Sequence, residues 1–170
     1  MREFEMVVVD PEFVELFHGV VRAHLSADLR IGGELSEDAD IEIRIEYDSA
    51  LERYVAASVT VTRNSPGVEV TGRLLREARI QDAISSVALR HMIEVDHASD
   101  GESFVSGEDA LGMVKPMRGR PRFDASLDAG IVYNLAKLSN RAPLATVAEL
   151  LEVSQSTATR LIAELRASDG

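Results

Sequence analysis

Two stretches of strict two-residue periodicity constrain this chain more than any other feature. In IEIRIEY, Ile41, Ile43, Ile45 and Tyr47 alternate with Glu42, Arg44 and Glu46. In YVAASVTVTR, Val55, Ala57, Val59 and Val61 alternate with small or polar residues. Successive side chains of a strand point to opposite faces, so runs of this kind are strands with one buried and one wet face. The DSALER segment between them reads as a hairpin loop, and NSPG at 64–67 as a turn leading into GVEV. The alternation therefore predicts an antiparallel sheet.

Around that hairpin the period changes to that of a helix. Residues 11–29 place Phe13, Leu16, Phe17, Val20, Val21 and Leu25 at helical spacing, with Asp10 as N-cap and Pro11 in the first turn. Ile80, Ala83, Ile84, Val87, Ala88, His91 and Met92 form a second helical stripe. The expected fold of residues 1–96 is an α+β domain, an antiparallel sheet backed by two helices. Residues 97–126 lose all periodicity and are rich in Gly, Ser, Asp and Pro, so they read as a flexible linker. Three short apolar-periodic segments follow, at about 127–139, 144–151 and 155–167, carrying Leu127, Ile131, Leu135 and Leu138, then Leu144, Val147, Ala148 and Leu151, then Ala158, Leu161, Ile162 and Leu165. They predict an all-α trihelical helix-turn-helix unit over 127–170.

Charge divides the chain at the same place. The net charge of −11 is unevenly spread: residues 1–114 hold 10 basic and 23 acidic side chains, residues 115–170 hold 8 basic and 6 acidic. The basic part begins with KPMRGRPR, four cations without an acid. An acidic total opposes nucleic-acid binding, but a basic segment set apart from the acid restores it locally. With 45% hydrophobic and 28% charged residues the composition is globular and not disordered. No stretch approaches the roughly 20 apolar residues of a membrane span, and the N-terminus lacks a signal-peptide layout, so no membrane association is expected. The absence of Cys removes disulfides and thiolate metal sites and fits a cytoplasmic location.

No catalytic constellation is legible, and the chain reads as a non-enzyme without cofactor or metal. His18, His24, His91 and His97 do not share a ligating or catalytic spacing, and His91 lies on an apolar helical stripe. DHASDG at 96–101 begins like a calcium loop, but Ala98 replaces an oxygen ligand and the twelfth position is Gly107. Asp38, Asp40, Glu42 and Glu46 fall on or before an alternating strand and read as a solvated surface.

The sequence LATVAELLEVSQSTATRLIAEL at 144–165 carries the chemistry. Two helices meeting at a sharp angle need a small residue at the crossing, which Ala148 supplies, and a shared apolar core, which Val147, Leu151, Val153, Ala158 and Leu161 supply. Ser154 suits the N-cap of the last helix. Gln155, Ser156, Thr157 and Thr159 place short polar groups near its N-terminus, where base edges and phosphates are met, and Arg160 lies one turn beyond Ser156. Pro143, Val147, Ala148, Val153, Ser154, Ser156, Thr157, Ala158 and Arg160 resemble the P-x-x-x-V-A-x-x-x-x-V-S-x-S-T-A-x-R run of small helix-turn-helix domains in actinobacterial and actinophage regulators. The resemblance covers about 127–167, and extends more weakly to the GRPR segment and to VTGRLLREARI. It implies double-stranded DNA as partner; because a single trihelical unit buries little DNA surface, a homodimer formed through the N-terminal domain is expected. Glu152 departs from the pattern, standing at a turn position where such proteins usually have Gly.

Arg118-Gly119-Arg120-Pro121 is similar to an AT-hook, an extended arm that lies in the narrow minor groove of A·T-rich DNA, and Arg122 extends the basic run. The expected function is sequence-specific DNA binding in a transcriptional regulator, with helix 154–167 in the major groove and arm 118–122 in the minor groove. Two alternatives remain open at this point. One is a protein–protein adaptor whose acidic N-terminal part binds a partner while the C-terminal helices dock or dimerise. The other is a DNA mimic that restrains its own helix-turn-helix through charge.

Overall fold

The two stretches form β5 (Ala39–Asp48) and β6 (Arg53–Arg63), an antiparallel hairpin closed by the turn 49–52. Asp48 Oδ1 accepts the amides of Ala50 and Leu51 at 2.8 and 2.9 Å and so shapes that turn. The alternation expected in β6 is broken by a bulge at Ala57, opposite Arg44 and Ile45, so Tyr54, Ala56, Val59 and Val61 pack on the core whereas Ala57 is exposed. The computed structural model describes residues 4–31, 39–67, 69–72, 76, 79–96, 104–114 and 122–168. β5 also pairs with β4 (Ser26–Ile31), and β4 with β1 (Phe4–Val9), giving a four-stranded sheet in the order β1-β4-β5-β6. Register places Ile43 beside Leu29 and Val59, and Ile41 beside Ile31 and Val61. Ala27, Leu29, Ile31, Ile41, Ile43 and Ile45 are buried on one face. The other face carries a charge lattice: Arg44 reaches Asp28 at 3.2 Å and Glu46 at 2.8 Å, and Arg30 reaches Asp40 at 2.7 Å. The Arg30 hydrogen bond holds the Asp40 carboxyl below its ordinary pKa.

The helix expected over 11–29 is absent; those residues are strands. β2 (Phe13–Leu16) and β3 (Val21–His24) pair in a hairpin and join a second sheet with β7 (Ile93–Asp96) and β8 (Phe104–Ser106), in the order β2-β3-β7-β8. The arms of this hairpin continue into β1 and β4, so segments 4–16 and 21–31 form one long hairpin bent between the two sheets. At the bend Asp10 N–H donates to Ser26 O and Leu25 N–H to Glu12 O, both at 2.9 Å. Strands that switch sheets at a corner are a general way of closing a two-sheet core. Asp10, expected to cap a helix, caps this bend instead: its Oδ1 accepts the Glu12 amide at 2.9 Å and its carbonyl lies 2.8 Å from His24 Nδ1. The apolar spacing that resembled a helix comes from two short strands and their tip. At the tip His18 and Gly19 have φ of 58° and 80°, values no helix interior contains.

Ile80 to Met92 is helical: α1 (Ile80–Val87) continues as a π-helical turn over Ala88–Met92. His91, expected on the apolar stripe, is instead exposed, because the π turn shifts the period and buries Leu89 and Met92. Ala83, Ile84, Val87, Ala88, Leu89 and Met92 enter the core of the two sheets. Tyr54, fully buried, ties three elements together, its hydroxyl lying 3.0 Å from the carbonyl of His24 and 3.1 Å from that of Met92.

The segment 97–126, expected as a linker, is built into the fold where it is described. β8 pairs with β7 through Glu94–Ser106 and Asp96–Phe104, and α2 (Gly107–Met113) follows, its first turn capped by Ser106 Oγ accepting the Asp109 amide at 3.1 Å. The pairing that orders β8 comes from a strand already in place and leaves no local periodic signal. α3 (Arg122–Leu138), α4 (Pro143–Leu150) and α5 (Gln155–Ser168) complete the chain.

The expected division into a small sheet domain with two helices and a separate all-α trihelical domain is overturned. Among the described residues there are two antiparallel sheets with eight strands, and five α-helices spread along the chain. α3 belongs to both ends of the molecule: Leu135 and Leu138 are buried in the sheet core, whereas Ala129 and Val132 join Val147, Leu151, Ala158, Leu161 and Ile162 in a second cluster. No helix among the described residues is long and apolar enough to cross a membrane.

Candidate nucleic-acid interface

α4 begins at Pro143, where a missing N–H costs nothing because first-turn amides have no intrahelical partner. It ends in a left-handed cap. Val153 N–H donates to Ala148 O at 2.9 Å and Glu152 N–H to Glu149 O at 3.2 Å, with Glu152 at φ 51°. The turn where the resembling proteins have Gly thus keeps its geometry, and Glu152 carries the strain of a side chain at positive φ. α3 ends the same way: Arg141 N–H donates to Ala136 O at 2.8 Å and Asn140 N–H to Lys137 O at 3.2 Å, with Asn140 at φ 59°.

Ser154 caps α5. Its Oγ accepts the Thr157 amide at 3.2 Å and lies 2.9 Å from both Ser156 Oγ and Thr157 Oγ1. Beyond the cap the helix divides cleanly. Ala158, Leu161 and Ile162 are buried against α3 and α4, while Gln155, Ser156, Thr159, Arg160 and Ala163 lie exposed on the opposite stripe.

The expected contact residues therefore differ in how free they are. The Ser154 hydroxyl is committed to the cap, and Thr157 is half-buried beside it. Thr159 Oγ1 donates to Gln155 O at 2.9 Å, which leaves only its lone pairs for a ligand. Gln155 makes no side-chain hydrogen bond to a described residue. Arg160 Nε faces Glu164 Oε1 at 3.8 Å across two well-exposed side chains, a pairing worth little in water. Gln155 and Arg160 are the groups with donors to spare. Arg118 and Arg120 lie outside the described residues. Arg122 is the first residue of α3, and the position of its side chain is likewise not described.

The β5–β6 turn sets where this surface sits. Arg53 Nη1 donates to Asn140 Oδ1 at 2.7 Å, and Asn140 Nδ2 donates to Tyr54 O at 2.8 Å. Glu52 forms an ion pair with Lys137, which with nearby Arg166 holds the Glu52 carboxyl below its ordinary pKa. Arg166 in turn donates to Tyr133 Oη at 3.0 Å and lies 5.3 Å over its ring. A notch at Gly130 completes the grip, since a Cβ there would come within 2.4 Å of Phe17 Cζ and 2.7 Å of Leu165 Cδ2. The tip of the β2–β3 hairpin and the C-terminal part of α5 meet on that glycine.

Sequence reasoning assigned none of these anchors. The one available signal was Gly130 itself, an unfavourable residue in the middle of an apolar helical pattern. Among the described residues no cluster of three or more His, Cys, Asp or Glu side chains is placed to hold a metal ion. Compared with family models, with curated proteins and with solved structures, the chain finds no match.

Proposed function

We propose that the protein is a cytoplasmic, sequence-specific binder of double-stranded DNA, acting as a transcriptional regulator. α5 enters the major groove, where Gln155 and Arg160 read base edges, Ser156 contacts bases or phosphates and Thr159 accepts from a base amino group. The 118–122 arm supplies Arg118, Arg120 and Arg122 to the adjacent minor groove. The observation that carries this reading is the left-handed turn at Glu152 followed by the Ser154 cap, which leaves Gln155, Ser156, Thr159 and Arg160 on one exposed stripe. One such helix covers little DNA, so the reading includes a homodimer on paired half-sites.

Selection of bound duplexes from random DNA by the full chain tests the proposal, followed by anisotropy titrations at several salt concentrations. The expected result is an enriched motif, with log affinity falling by about 0.9 per phosphate contact for each log unit of salt. Arg160→Ala should weaken binding to the selected site by roughly 5- to 150-fold, the equivalent of about 1–3 kcal/mol for a bidentate base contact. A full chain that binds no duplex at low salt refutes the reading. The full chain is required because α3 shares its residues with the sheet core.

A further inference from the structure

A cleft of about 480 Å³ lies where α1 and its π-helical turn face the turn between α3 and α4. Gln81, Asp82, Ser85 and Ser86 of α1 line one side, Arg90 and Glu108 close one end, and Arg141 extends from the α3–α4 turn.

The charges in the cleft are unequally committed. Arg90 makes a two-point ion pair with Glu108, Nε to Oε2 at 2.6 Å and Nη2 to Oε1 at 3.2 Å, so that end is neutral and fixed. Arg141 has only a long 3.4 Å contact from Nε to Ser85 Oγ, and no carboxylate among the described residues lies within ion-pair distance of it. Ser86 and Gln81 make no side-chain hydrogen bond to a described residue. Asp82 also lines the α1 side, but its carboxylate faces Arg79, which does not line the cleft, at 3.8 Å. Arg141 and the hydrogen-bonding groups of Gln81, Ser85 and Ser86 are thus left facing the same space.

The walls are held by irregular backbone. The π-helical turn that carries Arg90 widens α1 beside the cleft, and such turns are frequent at functional sites. On the other side Asn140, at φ 59°, is clamped by Arg53 and by the Tyr54 carbonyl, which fixes the base from which Arg141 extends.

We propose that this cleft binds a small oxyanion, a carboxylate- or phosphate-bearing molecule whose charge pairs with Arg141 and whose hydroxyl or amide groups meet Ser85, Ser86 and Gln81. The volume falls within the range of small-molecule sites, roughly 300–1,000 Å³. The polar lining, relieved by Leu89 alone, selects a hydrophilic ligand over an apolar one. The occupied site would bridge the sheet body and the helices that follow Arg141. It stands independently of DNA binding.

Two-dimensional amide NMR of the full chain provides the test, with inorganic phosphate and citrate as separate probes and sodium chloride at matched ionic strength as control. Saturable shifts confined to residues 80–92 and 139–142 are expected with at least one probe below about 20 mM, the weak affinity a single Arg anchor gives. Comparing the two probes separates a phosphate from a carboxylate preference. Arg141→Gln should weaken the response at least tenfold, and Arg141→Lys should restore part of it. Ser86→Tyr, which fills the cleft from α1, should abolish it while the remaining resonances stay in place. Shifts that do not saturate with either probe, or that persist unchanged in Arg141→Gln, overturn the proposal.

Discussion

Replacing Gly130 with alanine probes how the two ends of the molecule are joined. In an open helix position Gly→Ala stabilises by about 1 kcal/mol, because alanine restricts the unfolded chain and favours the helix. At Gly130 the added methyl would meet Phe17 Cζ at 2.4 Å, Leu165 Cδ2 at 2.7 Å and Phe17 Cε2 at 2.9 Å, all inside van der Waals contact. Overfilling a packed site costs about 1–3 kcal/mol. The obstruction comes from two elements at once, so α3 cannot relieve it by tilting away from either one. Phe17 has little freedom of its own, since its backbone is held at φ 48° in the hairpin tip. The clash term should therefore exceed the propensity term, for a net loss of up to about 2 kcal/mol.

Urea unfolding of the full chain measures this directly, provided the transition midpoint moves without a change in slope. A double-mutant cycle with Phe17→Ala supplies the control. Removing the ring deletes two of the three close atoms, so the cost of Gly130→Ala should fall by at least about 1 kcal/mol in that background. If Gly130→Ala stabilises the protein, or if the two changes are additive to within about 0.3 kcal/mol, the notch does not exist as described.

Other substitutions test separate parts of the structure. Glu152→Gly should raise stability by about 0.5–1 kcal/mol in the same assay, because it relieves a side chain at φ 51° while the cap bonds stay in place. Tyr54→Phe should cost about 1–2 kcal/mol by leaving the buried His24 and Met92 carbonyls without their shared donor, measured as a drop in the unfolding midpoint. Glu52→Gln probes the turn–helix ion pair through pH. The Glu52 pKa is lowered in the folded state, so its contribution is present above the unfolded glutamate value and lost as pH falls through the lower folded value. The wild type should lead Glu52→Gln by up to about 1 kcal/mol at neutral pH, the upper range for an exposed pair. Thermal unfolding should show that lead vanishing in acid; a difference independent of pH would contradict the assignment.

The parts of the fold legible in the sequence are those whose partners lie close along the chain. The β5–β6 hairpin announces itself because its two alternating runs are adjacent, and the Ile80–Met92 stripe because a helix satisfies its own backbone. Residues 11–29 mislead for the converse reason. Val21 pairs with Val95 and Ala23 with Ile93, partners some 70 residues away that no local window contains. Deprived of that context, Phe13, Leu16, Phe17 and Val20 match a helical spacing by coincidence, while the evidence against it, His18-Gly19 at positive φ, is visible only in the backbone. β8 was hidden in the same way, since its order comes from β7. Around α5, spacing distinguished buried from exposed residues well. It did not distinguish committed hydroxyls from free ones, because the Ser154–Ser156–Thr157 cluster depends on cap geometry rather than residue type.

The electrostatic boundary near residue 115 suggested two units joined by a tether, and the packing argues against a loose joint. Charge is a surface property and can change sign between parts of one body; a mobile joint requires that few buried contacts cross it. Here the crossing contacts are varied, and the apolar ones among them are buried. Leu135 and Leu138 lie in the sheet core, three and six residues from Val132, which packs with α4 and α5. One rigid helix therefore belongs to both clusters. Asn140 is bonded to both Arg53 and the Tyr54 backbone, and Phe17 and Leu165 meet at Gly130. Freeing α4 and α5 from the sheets would require exposing leucines that each contribute roughly 1.5–3 kcal/mol when fully buried. The orientation of α5 is thus set by the body, and whatever α5 contacts is presented at a fixed angle to the two sheets.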